Sequence, residues 1–295
     1  MLELLPDTDS VLTSEQFGKR DRLLAILASL PGAVIAFSGG VDSAVVAKAA
    51  ALALGPKAVA VTADSPSVPR AELAAAIDLA RVIGIRHATV STNEFDNPAY
   101  SANDGARCYF CKSELYDAIL ARRADFGEGA VCSGANLDDA GDYRPGLTAA
   151  AERDVRHPLQ EAGFTKADVR ALARFWELPV WDKPASPCLS SRIAPGLAVT
   201  PERTLRVERA EAYLKATGLR DCRVRYHEGD LARIEVPLSE LGRLTAEPLR
   251  SEIAAEFRKL GFKFTTLDLD GFRSGSLNEL VPLELRARFA QPVHE

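Results

Sequence analysis

With 295 residues, 47% of them hydrophobic, and a net charge of -5, the chain can bury more than one core, and it lacks the broad basic surface of a nucleic-acid binder. Its N-terminal stretch has no basic run followed by an apolar one, and no apolar segment reaches the roughly 20 residues of a membrane span. A cytoplasmic protein with a small-molecule substrate, and with neither membrane nor nucleic acid as partner, is therefore expected. The five cysteines are an odd number scattered through a long chain, which argues against a disulfide framework and leaves metal or thiol chemistry open.

In chain order, an apolar strand at 33–37 runs into Ser-Gly-Gly and then a helix at 44–54. A strand at 58–62, a helix at 70–83, a strand near 86–91, a helix at 112–124, a strand at 130–133 and a helix at 166–178 continue the alternation. The last helix opens on Thr165 and Asp168, spaced like a capping box. Such alternation predicts an α/β fold with a doubly wound parallel sheet. Pro184, Pro187, Pro195, Gly196 and Pro201 interrupt any regular element, placing the domain boundary between 197 and 198. Residues 198–295 then read as a smaller α+β domain: a helix from Pro201 stopped by Gly218, strands at 223–226 and 232–236, a helix stopped by Gly261, and a strand at 263–269.

Ser38-Gly39-Gly40-Val41-Asp42-Ser43 sits between a strand and a helix, where free backbone N–H groups and the helix dipole favour an anion. Gly39 and Gly40 let backbone approach phosphates, Ser38 and Ser43 donate hydroxyls, and Asp42 makes sense if it helps hold Mg²⁺ between them. No Walker lysine is present. The segment resembles the signature of the PP-loop ATP pyrophosphatases, in which the loop binds the pyrophosphate that leaves and AMP joins a substrate oxygen. By the same resemblance, 61–65, with Asp64, is similar to the adenosine-contacting segment.

Cys108 and Cys111 are spaced to share one metal, and Cys188 supplies a third thiolate. Three ligands leave one position open, for water on zinc or for an extra ligand on a four-iron four-sulfur cluster; spacing alone does not choose. Cys132 and Cys222 read as buried residues. The histidines show no ligand spacing. Several segments together resemble the LarE family of ATP-dependent sulfur transferases, which build the nickel-pincer nucleotide. They are Ser38 to Ser43, the run 134–139 with 141–146, 188–192, and 267–276. The resemblance implies pyridinium-3,5-biscarboxylic acid mononucleotide as substrate, its carboxylates becoming thiocarboxylates, and a homohexamer. Cys188 matches the cysteine that one branch sacrifices to dehydroalanine. With Cys108 and Cys111 beside it, the chain is similar to the branch whose three cysteines hold a [4Fe-4S] cluster with a transferable sulfide.

Arg223 and Arg225 alternate on one strand and point to one face, suiting a nucleotide phosphate. Arg192 and Arg273 fall in the family-like segments and would serve the same anionic substrate, as would Arg144. Asp138 and Asp139 follow a strand end, where they would bind Mg²⁺ or orient the ribose of ATP. The charges from Arg203 to Glu211 read as a solvated helix face. Two other readings stay open: an amide-forming PP-loop ligase, and a non-catalytic nucleotide-binding scaffold stapled by zinc.

Overall fold

The computed structural model describes residues 12–139, 145–184 and 186–273. Four parallel strands, β1 (Ala33–Ala36), β2 (Ala58–Asp64), β3 (Arg86–Ser91) and β4 (Ala130–Cys132), form the main sheet in the order β3-β2-β1-β4. Every residue of β1 is buried, because the strand lies in the middle of the sheet and is covered on both faces. Ala33 and Ile35 face a core built with α1 (Ser14–Ala28), α2 (Val41–Leu54) and α3 (Arg70–Ile83), while Val34 and Ala36 face Leu115, Tyr116 and Ile119 of α4 (Arg107–Ala121). The chain leaves β1 for β2 on one side and returns to β4 on the other. The switch point of the sheet, where open α/β sheets bind ligands, is thus the carboxyl end of β1 and β4.

α5 (Pro145–Ala151) packs beside α4, and α6 (Lys166–Phe175) returns to the first core. The predicted capping box forms: the Thr165 hydroxyl accepts from the Asp168 N–H, and the Asp168 carboxylate accepts from the Thr165 N–H. Asp168 also receives Lys19 Nζ at 2.7 Å and Gln16 Nε2 at 3.2 Å, tying α1 to α6. Burial opposes ionisation here, yet the bonds from Lys19, Thr165 and Gln16 prevail and hold the Asp168 carboxyl down to about 2. The unfolded chain therefore binds this proton first. The contribution is complete above about pH 4 and is lost as the pH falls towards 2. Lys19→Met is expected to lower stability at neutral pH and to flatten this part of the acid limb, as read by urea unfolding at several pH values.

The second sheet has the order β5-β6-β7, from β5 (Arg223–His227), β6 (Leu231–Glu235) and β7 (Phe264–Leu267). β5 and β6 are antiparallel, whereas β6 and β7 are parallel. Val224, Tyr226, Ala232 and Ile234 bury one face against α7 (Pro201–Ala216) and α8 (Leu249–Lys259). The alternation of strands puts Arg223, Arg225, Arg233 and Glu235 on the opposite face. This core also takes in Tyr100, Leu189 and Ile193, which come from well before α7. Glu211, expected on a solvated face, is buried. Positions 204, 207, 211 and 214 form the inward stripe of α7, and Arg192 meets the carboxylate there. No helix among the described residues is long and apolar enough to cross a membrane.

Candidate nucleotide and thiol site

At the switch point, Ser38–Ser43 closes on itself across the start of α2, whose first turn holds Asp42 and Ser43. Ser38 N donates to Ser43 Oγ at 3.3 Å, Gly40 N to Ser38 Oγ at 3.3 Å, and Ser43 Oγ to Gly40 O at 3.1 Å. Gly39 has φ 72° and lies against α3. A Cβ there would stand 3.0 Å from Ala76 Cβ. Gly40 precedes α2 without a side-chain cap, so the helix keeps free N–H groups for an anion.

The loop after β4 supports this turn from beside it. A Cβ on Gly134 would meet Ser43 N at 2.7 Å and the Asp42 carbonyl carbon at 2.9 Å. Asn136, buried, donates Nδ2 to Asp42 Oδ1 at 3.0 Å, and Lys166 Nζ pairs with Asp42 Oδ2. Lys166 is thus a cation at the phosphate loop that no sequence motif announces; it comes from the first turn of α6. Asp139 Oδ2 accepts from Asn136 N at 3.0 Å, and Asp138 N donates to Asn136 Oδ1 at 3.0 Å. The structure therefore gives the Asp138–Asp139 turn the duty of shaping the loop that carries Asn136. Arg144 lies outside the described residues, as do 141–143 and 274–276 of the family-like segments.

Asp64 ends β2 and pairs with Arg70 at 2.5 Å. Both line a cleft of 540 Å³ that Ser65, Asn93, Thr204 and Glu208 complete. Glu208 of α7 accepts from Arg70 N at 2.6 Å and so caps α3, whose own cap position, Pro69, supplies no side-chain bond. Asp64 and the phosphate loop are at neighbouring strand ends, and α3 touches both, through Arg70 at Asp64 and Ala76 at Gly39.

Cys108 and Cys111 lie within the first turns of α4, not before the helix, so their spacing of three sets them on one face. Cys188 immediately precedes the short 3₁₀ turn Leu189–Arg192. Burial pushes the Cys111 thiol well above its ordinary range; the charges of Cys188, Glu94 and Cys108 act in the same direction and Lys112 opposes them. Burial opposes the charge on Arg107, but Cys188, Cys108, Tyr100 and Cys111 hold its pKa above the ordinary value. The three thiols therefore share one electrostatic neighbourhood with two cations, Arg107 and Lys112. Cysteine sulfurs are a fitting donor set for iron once deprotonated, and neighbouring positive charge favours that deprotonation. As folded, however, no three His, Cys, Asp or Glu side chains among the described residues are close enough to hold a metal ion. Cys132 and Cys222 are fully buried.

Of the candidate arginines, Arg192 is 2% exposed. It donates to Glu211 at 3.0 Å, to Cys188 O at 2.9 Å and to Pro187 O. Arg225 pairs with fully buried Glu235 at 2.8 Å and donates to Ser191 O at 3.2 Å. Both guanidiniums thus clamp the Cys188 segment. Arg223 is half-buried with its guanidinium 5.1 Å from the Phe272 ring centre, and Arg273 is half-exposed beside Asp270. Sequence reasoning missed Glu94, Asn136 and Lys166. A signal existed for Asn136, which stands in the run after β4, but Glu94 follows β3 with no motif around it.

Residues 27–114 match the NAD synthase family model. The chain is 37% identical over 273 residues to the pyridinium-3,5-bisthiocarboxylic acid mononucleotide synthase of Lactiplantibacillus plantarum, covering 92% of this chain and 98% of that protein. It is 46% identical over 263 residues to an uncharacterized protein of Synechocystis, covering 89% of this chain and 98% of the relative. An uncharacterized protein of Methanocaldococcus jannaschii is 26% identical over 241 residues, covering 82% and 90% respectively.

Proposed function

The chain belongs to the LarE family of PP-loop enzymes, that of the pyridinium-3,5-bisthiocarboxylic acid mononucleotide synthases; from this we propose that it is an ATP-dependent sulfurtransferase acting on pyridinium-3,5-biscarboxylic acid mononucleotide. A substrate carboxylate attacks the α-phosphorus of ATP, pyrophosphate leaves, and the resulting acyl-adenylate is opened by sulfur with AMP departing. The observation that carries this reading is a contact between the two sites: Leu189 N, next to Cys188, donates to Ser67 O at 2.8 Å in the loop that follows Asp64. A contact of this kind supports bringing electrophile and nucleophile together on one edge of the sheet, which would remove part of the cost of their association.

In this reading Ser38, Gly39, Gly40 and Ser43 hold the departing pyrophosphate through N–H and hydroxyl groups. Lys166 and Asp42 manage its charge, Asp42 being the residue that would hold Mg²⁺. Asp64 faces the nucleoside, and Asp139 acts through Asn136 on Asp42. Arg223 and Arg273 meet the anionic substrate, while Arg192 and Arg225 fix the segment that presents Cys188. Cys108, Cys111 and Cys188 would hold a [4Fe-4S] cluster, which supplies a nucleophilic sulfide. A second reading has Cys188 give up its own sulfur, as its match to the cysteine that one branch of the family sacrifices implies. A homohexamer in the cytoplasm belongs to the same proposal.

The deciding experiment supplies Mg-ATP and the biscarboxylic mononucleotide and follows pyrophosphate and thiocarboxylate together, with iron and acid-labile sulfide assayed on protein purified without oxygen. Both products and a cluster complement lost in Cys108→Ala are expected. Product without iron means sacrificial sulfur. Zinc alone without pyrophosphate release returns the chain to a scaffold and ends the proposal.

A further inference from the structure

Glu94 opens the short turn Glu94–Asp96 after β3 and is 2% exposed. Its Oε1 accepts two hydroxyls, from Ser65 at 2.6 Å and from Ser67 at 2.7 Å, and both serines are themselves buried. The two hydroxyls also lie 2.7 Å from each other. Two hydroxyl protons serve three close oxygen contacts, so the carboxylate, as the strongest acceptor, draws both. Glu94 Oε1 thus ties both serines of the 65–67 loop, which Arg70 also holds through Ser65 O. Glu94 Oε2 is buried and has no hydrogen-bond partner among the described residues. Burying a carboxylate with one oxygen unmatched disfavours stability. Holding this loop is therefore a better account of the residue than adding to the core.

Two routes lead from this turn to Cys188. In the first, Ser67 O accepts the N–H of Leu189 at 2.8 Å. In the second, Phe95, the neighbour of Glu94, packs edge-on against the Tyr100 ring at 5.2 Å, and the Tyr100 hydroxyl bonds the Ser190 hydroxyl at 2.7 Å. The routes end on residues 189 and 190, the two that follow Cys188. We infer that Glu94 is a positioning residue for sulfur transfer: through Ser65, Ser67 and the Phe95–Tyr100 contact it sets where Cys188 stands relative to the nucleotide end of the sheet. The assignment rests on the reading of Cys188 as the sulfur-bearing residue.

The test uses the full-length protein and reads position apart from activity. On protein assayed free of iron and zinc, Cys188 and Cys108 are alkylated with iodoacetamide, and their rates are compared by peptide mass spectrometry. Glu94→Ala is expected to raise the Cys188 rate relative to Cys108 by roughly tenfold, as local opening of a once-fastened segment does. Glu94→Gln keeps the ratio of the wild type, because the amide oxygen still accepts both serine hydroxyls. Thiocarboxylate kcat falls with the alkylation change, roughly tenfold in Glu94→Ala. If Glu94→Ala does not fold, Ser67→Ala, which removes one of the two fastenings, is expected to shift the ratio in the same direction. An unchanged ratio in the alanine variants, or a glutamine variant as altered as the alanine one, overturns the inference. Wild-type protein that makes no thiocarboxylate overturns the proposed function instead, and leaves the alkylation result standing.

Discussion

Cys188→Ser is expected to abolish thiocarboxylate formation, a loss of at least about 10³-fold, with pyrophosphate still released. An alcohol is a far weaker acid than a thiol and a poor ligand for iron, so the change removes sulfur chemistry under either account of the donor. It spares the local fold. The segment is held through the Cys188 carbonyl, which accepts from Ser191 N at 3.0 Å, Ser191 Oγ at 2.7 Å and Arg192 Nη1 at 2.9 Å. None of these bonds involves the sulfur. The experiment pairs a mass measurement of the product with a pyrophosphate assay, and adds ammonia in a parallel reaction. A serine variant that makes thiocarboxylate at the wild-type rate sinks the role of Cys188. An amide appearing with ammonia favours a ligase.

The second large effect is expected at Gly134, in the loop that follows β4. One added methyl group would stand 2.7 Å from Ser43 N and 2.9 Å from the Asp42 carbonyl carbon, both backbone atoms at the start of α2. Neither can swing aside as a side-chain tip can, so either the loop after β4 or the phosphate loop must move. Overpacking of this kind costs about 1–3 kcal/mol of stability. Displacement of catalytic groups by even one ångström can lower rates by about 10²-fold. Gly134→Ala should therefore lower kcat/KM for pyrophosphate release by about 10²-fold, with a folded protein by circular dichroism. The Asn136–Asp42 bond lies on the same loop and would be disturbed with it. Activity near that of the wild type would mean that the close approach does not constrain the phosphate loop.

What could be read from the residues was whatever local periodicity decides. The strand–glycine–helix passage at 33–54, the alternating order of the main sheet and the Thr165–Asp168 cap each depend on neighbours within a few positions. The helix around the cysteines was placed late, from 112. It starts at Arg107, and that start is not legible because Ala106 provides no capping side chain. The duties of the arginines were not legible at all. Arg192 and Arg225 read as cations for an anionic substrate until Glu211 and Glu235, 19 and 10 positions away, are brought against them in the interior. Lys166 reaches Asp42 across 124 positions, and Glu94 reaches Ser65 across 29. Such pairings are made by tertiary packing, and no pattern along the chain encodes them.

The mixed origin of the second core shapes how the protein is born. Tyr100, Leu189 and Ile193 leave the ribosome before α7 and α8 exist, yet they are buried against those helices and their sheet. At roughly 5–20 residues per second, the stretch from 201 to 262 takes several seconds to emerge, and during that time these side chains have nothing of their own to cover them. A fragment cut near 198 is expected to leave both pieces with apolar side chains that have lost part of their cover.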